Sequence, residues 1–454
     1  MKNLLYIFAD QWRYHALGAV GEDPVRTPNM DAFCSESLLM TDALSTYPLC
    51  SPHRGALLTG KHPLSLGLWT NCKTGLSDHV FLESGETTIT DILHGAGYEN
   101  AYIGKYHLDC AEENYCPEPA SGARAWDAYT PVGERRHNID FWYSYGAFDR
   151  HLNPHYWNDS DKMICINKWS PEHETDVLLS FLENRDRAKP FCAILSWNPP
   201  HPPYDQVPSE FLDLYPEDKV VFRDNVPEKM VEDPIFRQSW RQYMAAVSGL
   251  DVQFGRITEY LKTNNLFGDT VVVLSADHGD CMGSHGLYGK NIWYEESLRI
   301  PFVIHDRELP CGIYEGTFVS EDHMPTLLDI LGVGIPKTVE GRSHKTAMAG
   351  QAEPPRDFST HLMIPGMPGL VEPYRKKGLD NKAFGWRAIR KDGYKLVIDN
   401  GTVPGARRKK FLYDLSADPF ENNPVCNPDK ENELFGILSS ELTAQNDNFF
   451  LEEQ

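Results

Sequence analysis

The richest stretch of this 454-residue chain for chemistry is Cys50-Ser51-Pro52-His53-Arg54. Ser51 reads as an N-cap and Pro52 as the first helical residue. The helix then runs through Ala56, Leu57 and Leu58 to Gly60, a suitable C′ residue. Cys50 therefore stands just ahead of a helix N-terminus, where open backbone N–H groups favour negative charge. Arg54 returns beside it one turn later. A nucleophile facing a cation and open amides is suited to binding an anion; the alternative is a buried free cysteine. Elsewhere, Asp10-Gln11 and Asp277-His278 offer two carboxylates, an amide oxygen and an imidazole. That set suits a hard divalent cation such as Ca²⁺ or Mg²⁺, and the histidine leaves Mn²⁺ open. Lys105 and His107 lie two apart, so an extended segment presents both on one side. His201 sits in Asn198-Pro-Pro-His201-Pro-Pro-Tyr204, where the flanking prolines hold it rigidly.

These residues need a frame that brings distant segments together. Leu4–Ala9 is a continuous apolar run of strand length, as buried parallel strands are, and Asn100–Gly104, Phe191–Trp197 and Thr270–Ala276 read as further strands. Each ends in one of the polar groups above. In open α/β sheets ligands bind beyond the carboxyl ends of the strands, so the pattern predicts convergence. Helices are expected at 88–94, 172–184 and along Tyr243, Val247, Leu250, Phe254, Ile257 and Leu261, whose steps alternate four and three. The aromatic-rich stretch from about 110 to 170 has little periodicity and reads as a long excursion walling a pocket. The Asn198–Tyr204 loop reads as neither helix nor central strand. Near 350 the texture changes: 351–355 reads as a linker. Phe384–Arg390 and Tyr394–Asp399 flank the hairpin signal Lys391-Asp392-Gly393, with a strand at 411–415 and a helix at 430–442 beyond. The expected fold is a large, mostly parallel α/β sheet flanked by helices over 1–350, with a smaller α+β subdomain carrying an antiparallel sheet over 351–454.

Cys50-Ser-Pro-His-Arg54, followed by Leu58-Thr59-Gly60-Lys61, resembles the sulfatase signature Cys-x-Pro-x-Arg and its Thr-Gly tail. Gly104-Lys105-Tyr106-His107-Leu108 is similar to the family's Gly-Lys-Trp-His-Leu motif, with Tyr106 for Trp. Lys290, in Gly289-Lys290, follows Asp277 at the family's usual interval, and Pro-His-x-Pro loops like that of His201 occur in sulfatases. Leu412-Tyr413-Asp414-Leu415-x-x-Asp418-Pro419-x-Glu421 resembles the family's C-terminal domain. The resemblance implies that Cys50 is oxidised after translation to formylglycine by a formylglycine-generating enzyme. It also implies metal binding by Asp10, Gln11, residue 50, Asp277 and His278, with Ca²⁺ expected first and Mg²⁺ or Mn²⁺ as alternatives. Gln11 departs from the family's Asp pair and lowers the site charge by one. In the implied reaction hydrated formylglycine attacks sulfur, and Lys105, Lys290 and Arg54 stabilise the shifting charge. His201 protonates the departing alcohol, and His107 takes a proton from the second hydroxyl so that sulfate leaves. Phosphonate monoester and phosphodiester hydrolases of the same alkaline-phosphatase-like superfamily also carry Asp-Gln and Asp-His pairs. They resemble Tyr-x-Thr where this chain has Lys105-x-His107, which fits sulfatases better. A non-catalytic sulfoglycan-binding protein is a further alternative.

The formal charge of −22 argues against a broad basic face for nucleic acid or anionic membrane, so a small pocket must concentrate the cations that meet an anionic substrate. The ten cysteines are scattered without a C-x-x-C pair, which argues against a disulfide framework. Only six apolar residues, Leu4 to Ala9, follow the N-terminus before Asp10, short for a signal-peptide core. A cytoplasmic location is expected, unless the numbering begins after a removed signal. The expected substrate is a small sulfated mono- or oligosaccharide. Trp69, the 140–157 segment, Trp293 and the C-terminal region are candidate sugar walls, with His151, His155, His361, Arg387 and Arg390 as candidate polar contacts.

Overall fold

The computed structural model describes residues 1–76, 80–352 and 356–450. Positions 353–355 of the expected linker lie outside the described residues. The first apolar run forms β1 (Asn3–Asp10), followed by the short β2 (Leu38–Met40) and the cysteine-bearing helix α1 (Cys50–Thr59). Next come α2 (Ile89–Gly95), β3 (Glu99–Lys105), β4 (Phe141–Tyr145), α3 (Ser170–Asn184) and β5 (Phe191–Pro200). Then α4 (Pro234–Thr263), β6 (Thr270–Ala276), β7 (Phe302–His305) and β8 (Gly312–Tyr314) complete the main sheet. Among the described residues that sheet has eight strands in the order β8-β2-β7-β6-β1-β5-β3-β4. Only β7 runs against its neighbours; the other pairings are parallel.

The apolar runs explain the centre. Leu4–Ala9, Phe191–Leu195 and Val271–Leu274 are buried on both faces, as strands covered by helices must be. The apolar stripe of α4 is fully buried. The carboxyl ends of β1, β3, β5 and β6 lie side by side and deliver Asp10, Lys105, Asn198 and Asp277 to one edge. Gly104, at φ +96°, makes that edge possible: a Cβ there would meet the Ser196 carbonyl oxygen at 2.1 Å.

Three expectations are corrected. The 110–170 stretch is not all excursion, because Phe141–Tyr145 is the edge strand, paired in parallel with β3 from Ala101↔Phe141 to Lys105↔Tyr145. Its aromatic residues favour a strand, but it lacks the aliphatic run by which the others were read. The strand before His201 continues through Asn198 to Pro200, in a central position. The proline is accommodated because Asp10 pairs with Pro200 across a register shift. Finally, α1 starts at Cys50, not Pro52, with Leu49 as N-cap. The Ser51 hydroxyl donates to the His107 carbonyl (2.6 Å) and accepts from Cys72 N–H (3.0 Å), so it ties the helix to two loops instead of capping it. Gly60 ends the helix at φ +66°.

Beyond 356 the chain forms β9 (Ser359–Met363), β10 (Gly385–Lys391), β11 (Tyr394–Gly401), β12 (Lys409–Asp414) and α5 (Pro428–Ala444). The four strands are antiparallel in sequence order. Alternation divides their side chains. Ile389, Leu396, Ile398 and Leu412 pack with Leu434, Leu438 and Leu442 of α5, while Ala388, Val397 and Tyr413 join the main core. The hairpin turn places Asp392 and Gly393 at φ +52° and +76°, as a tight reverse turn requires. This sheet also clamps the segment after β6. Lys395 donates to the Trp293 carbonyl (2.6 Å) and pairs with Glu295 and Glu421, and Trp386 Nε1 donates to the Asn291 carbonyl (3.0 Å).

Candidate active site

Cys50 lies on the wall of a cavity of about 860 Å³ at the carboxyl edge of the main sheet. Lys105, His107, His201 and Lys290 line the same cavity. Lys290 Nζ is 3.1 Å from Cys50 Sγ and 3.7 Å from Asp10 Oδ1. Lys105 Nζ is 2.7 Å from Asp10 Oδ2 and donates to Asn198 Oδ1 (3.1 Å). Asn71 fixes the start of α1, accepting from Ser51 N–H at 2.9 Å, and its Nδ2 is 3.9 Å from Cys50 Sγ. Burial and Asp10 oppose ionisation of the Cys50 thiol, but Lys290, Lys105 and His107 outweigh them and hold it well below the ordinary thiol range.

Asp10, Gln11, Asp277 and His278 are buried beneath Cys50, each no more than 2% exposed. One ligand atom each from Asp10, Cys50, Asp277 and His278 fall within 4.8 Å of one another. Ligands about 2.3–2.6 Å from a shared cation lie at most roughly 5 Å apart, so these side chains fit one ion. His278 Nδ1–H donates to the Gly279 carbonyl (3.1 Å), which leaves Nε2 facing Asp10 Oδ1 at 3.6 Å and Asp277 Oδ1 at 3.5 Å. Gln11 Nε2 donates to Asp280 Oδ2 (2.6 Å), and its Oε1 is a buried acceptor without a hydrogen-bond donor. Burial works against the charge on Asp10, but Lys105, Lys290, His201 and Arg54 keep its pKa far down. Burial and the charge of Asp10 push Asp277 up. Two buried carboxylates, an imidazole nitrogen 3.4 Å from the Cys50 sulfur and an orphaned amide oxygen are what a divalent cation would satisfy.

The two histidines have opposite tautomers. His107 Nε2–H donates to the Cys72 carbonyl (3.0 Å), so Nδ1 carries the lone pair. That Nδ1 is buried with no partner at bonding distance, yet close enough to Cys50 for each to shift the other's proton affinity. Burial outweighs Cys50 and keeps His107 below the usual imidazole pKa. His201 Nδ1–H donates to the Pro202 carbonyl (2.7 Å) with Asp149 Oδ1 at 3.3 Å, so Nε2 is the atom that exchanges a proton. His151 Nε2 donates to the His201 carbonyl (2.8 Å) and holds this loop.

The sequence profile of the Sulfatase family matches residues 2–333, and that of the C-terminal region of N-sulphoglucosamine sulphohydrolase matches residues 283–448. The chain belongs to the sulfatase family. An endo-4-O-sulfatase of Bacteroides thetaiotaomicron is 35% identical to this sulfatase, covering 99% of this chain and 93% of its own. An ulvan-active sulfatase of Formosa agariphila is 30% identical, covering 98% and 82%. A solved structure from B. thetaiotaomicron, described under metabolism of multiple glycosaminoglycans, matches with a TM-score of 0.88 at 33% identity, over 99% of this chain and 98% of that one. The chain is thus a sulfuric ester hydrolase of mixed α/β architecture.

The sulfatase departs from the sequence reading at several places. Arg54 does not reach the cavity. Its Nη1 donates to the Lys105 carbonyl (2.7 Å) and Ser196 Oγ (2.8 Å), and its Nη2 pairs with Asp10 (3.0 Å) and Asp277 (3.2 Å). Every strong donor is occupied, so Arg54 braces the carboxylates and acts through them. Lys105 and His107 both face the cavity, but not through an extended segment, since β3 ends at Lys105 and His107 has φ +53°. Trp69 and Trp293 are core residues; Trp293 packs against Trp386 and Phe411. His155 pairs with Asp127, His361 with the Ser45 carbonyl and Ser359, Arg387 with Asp447, and Arg390 with Asp42 and Glu295; none lines the cavity. The C-terminal region does contribute a wall, Met363–Met367 with Leu370. Gly366 lets that wall abut the segment after α1, where a Cβ would meet Thr70 Oγ1 at 2.0 Å. The 110–170 stretch does wall the cavity, through Trp126 and the 147–150 part of the 140–157 segment, whereas sequence reasoning missed Lys73, which lines it from a segment without periodicity.

Proposed function

We propose that this sulfatase removes sulfate from a sulfated carbohydrate, with residue 50 as formylglycine and one Ca²⁺ held by Asp10, Gln11, Asp277 and His278. The observation that carries the reading is Cys50 on the cavity wall, 3.1 Å from Lys290 Nζ, with Lys105, His107 and His201 on the same wall. The apolar wall of Trp126, Phe148 and Ile364 supports a sugar above that cluster, as do the carbohydrate substrates named for the relatives.

Formylglycine at residue 50 would supply an oxygen nucleophile once hydrated, and a cation held by Asp10, Gln11, Asp277 and His278 would supply positive charge beside it. Lys290 and Lys105 are placed to meet the negative charge that shifts across the sulfuryl group. Arg54 keeps Asp10 and Asp277 oriented. His201 Nε2 gives its proton to the departing alcohol, and His107 Nδ1 takes one at residue 50. An unmodified cysteine or serine at this position would lack the second hydroxyl from which His107 removes that proton.

Gln11 and His278 favour a second reading, hydrolysis of phosphonate monoesters or phosphodiesters; Lys105 and His107 on the cavity wall favour sulfate. Paired sulfate and phosphonate esters of one alcohol decide between them. We expect kcat/KM to favour sulfate by roughly tenfold or more, and the reverse preference would overturn the proposal. Chelation should lower turnover by at least about 100-fold, the effect of losing several kcal/mol of charge stabilisation. Added Ca²⁺ should restore the wild type but not Asp10→Asn or Asp277→Asn. Full activity of exhaustively chelated protein would remove the metal from the mechanism.

A further inference from the structure

Two cations on the cavity wall, Lys73 and Arg150, have no carboxylate at ion-pair distance among the described residues. Arg150 is exposed to water, its guanidinium 5.2 Å from the centre of the Phe148 ring. Lys73 is different. It is only 4% exposed, and its ammonium lies 3.5 Å from Met367 Sδ and 5.4 Å from the centre of the Trp126 ring. A thioether and a ring face are weak substitutes for water around a positive charge. Burial accordingly pushes the Lys73 pKa down to about 8.

Lys73 is also held in place. Its carbonyl accepts from Asn114 Nδ2 at 2.9 Å, and the C-terminal wall closes over it through Met367. The reacting centre already has its cations, since Lys290 contacts Cys50 and Lys105 contacts Asp10. Lys73 hydrogen-bonds neither Cys50 nor Asp10. Trp126 touches both regions, stacked on His107 (6.4 Å, 25°) while Lys73 sits over its ring. A sugar seated with its sulfate at residue 50 would therefore extend along Trp126 toward an ammonium that lacks an anion.

We propose that Lys73 binds a second negatively charged group of the substrate, a carboxylate or a further sulfate, so that this sulfatase selects multiply charged saccharides over singly charged ones. The inference rests on the carbohydrate-sulfate reading above. It also explains how a chain of net charge −22 can take a multiply charged substrate, because the cations that meet it are confined to one cavity.

The test uses the whole metal-loaded protein and three saccharides that share one sulfate ester: one with a uronate carboxylate, its carboxyl-reduced counterpart, and one with a second sulfate. Wild type should prefer one of the doubly charged saccharides over the reduced one by about tenfold or more in kcat/KM, mainly through KM. Lys73→Met should bring that ratio to within about threefold, and Lys73→Arg should keep most of it. The preferred probe tells whether the second anion is a carboxylate or a sulfate. Titration of Cys50→Ala protein with the same saccharides reads the ratio as Kd, without turnover. Lys73→Gln replaces Lys73→Met if the latter does not fold. Absence of the preference in wild type, its survival in Lys73→Met, or an equal loss on all three probes would overturn the proposal. Hydrolysis of 4-nitrophenyl sulfate without hydrolysis of any saccharide would instead count against the carbohydrate reading, and the Kd ratio would still decide for Lys73.

Discussion

Cys50→Ala is expected to lower kcat by roughly 10⁴-fold or more, the scale on which loss of a covalent nucleophile acts. The fold should survive. Cys50 is the first residue of α1, where alanine is a good helix former, and the helix is anchored through Ser51 to His107 and Cys72. Thermal melts of the two proteins should therefore overlap closely while turnover disappears. The same experiment has a chemical arm. In active wild-type protein the peptide carrying residue 50 should contain an aldehyde and be lighter than the thiol form. Lys290, Lys105 and His107 already favour the thiolate over the thiol. A thiolate could attack sulfur but would leave no hydroxyl for the second proton transfer. Full activity in Cys50→Ala would refute the central role of this residue. A cysteine that stays unmodified in the native host would support a protein that binds sulfated glycans without hydrolysing them.

Much of this site could be read before any coordinates because parallel strands announce themselves. The run Leu4–Ala9 is apolar until Asp10, and Thr270–Ala276 carries no charge until Asp277, so each carboxylate is marked as the first charged residue past a buried strand. Placement of the strands side by side then brings the carboxylates together without any local signal between them. What sequence could not show is which way a side chain turns once packed. Arg54 recurs one turn after Cys50, yet the buried carboxylates and carbonyls behind the helix attract its guanidinium away from the cavity. Trp69 and Trp293 have the right residue type for a sugar wall, but they fill the core. Trp126 and Lys73, from segments with no periodicity, occupy the wall in their place. His107 reaches the pocket, but not by the extended segment that its spacing from Lys105 suggests. The strand ends two residues earlier, and a left-handed backbone turns the ring toward Cys50. Loop conformation, unlike strand position, depends on tertiary hydrogen bonds that no window of sequence contains.

The tautomers of His107 and His201 predict that their removal will stall different halves of the reaction. His107 Nδ1 is unprotonated and directed at residue 50, so it can accept a proton there but has none to give at that atom. His107→Ala should therefore still release alcohol in the first turnover. We expect a burst of alcohol comparable to the enzyme concentration, followed by turnover slowed by about 10²–10⁴-fold. Sulfur from the substrate should be retained on the protein in intact-mass measurements. His201 Nδ1–H is engaged by the Pro202 carbonyl with Asp149 beside it, which leaves Nε2 as the proton-exchanging atom. His201→Ala should slow alcohol release itself and show no burst. Its defect should grow with the pKa of the leaving alcohol, because poor leaving groups need the proton most. Retention of sulfur in His201→Ala but not in His107→Ala would exchange the acid and base assignments. Retention in neither, with equal losses on good and poor leaving groups, would leave the family membership intact and reduce both histidines to positioning residues.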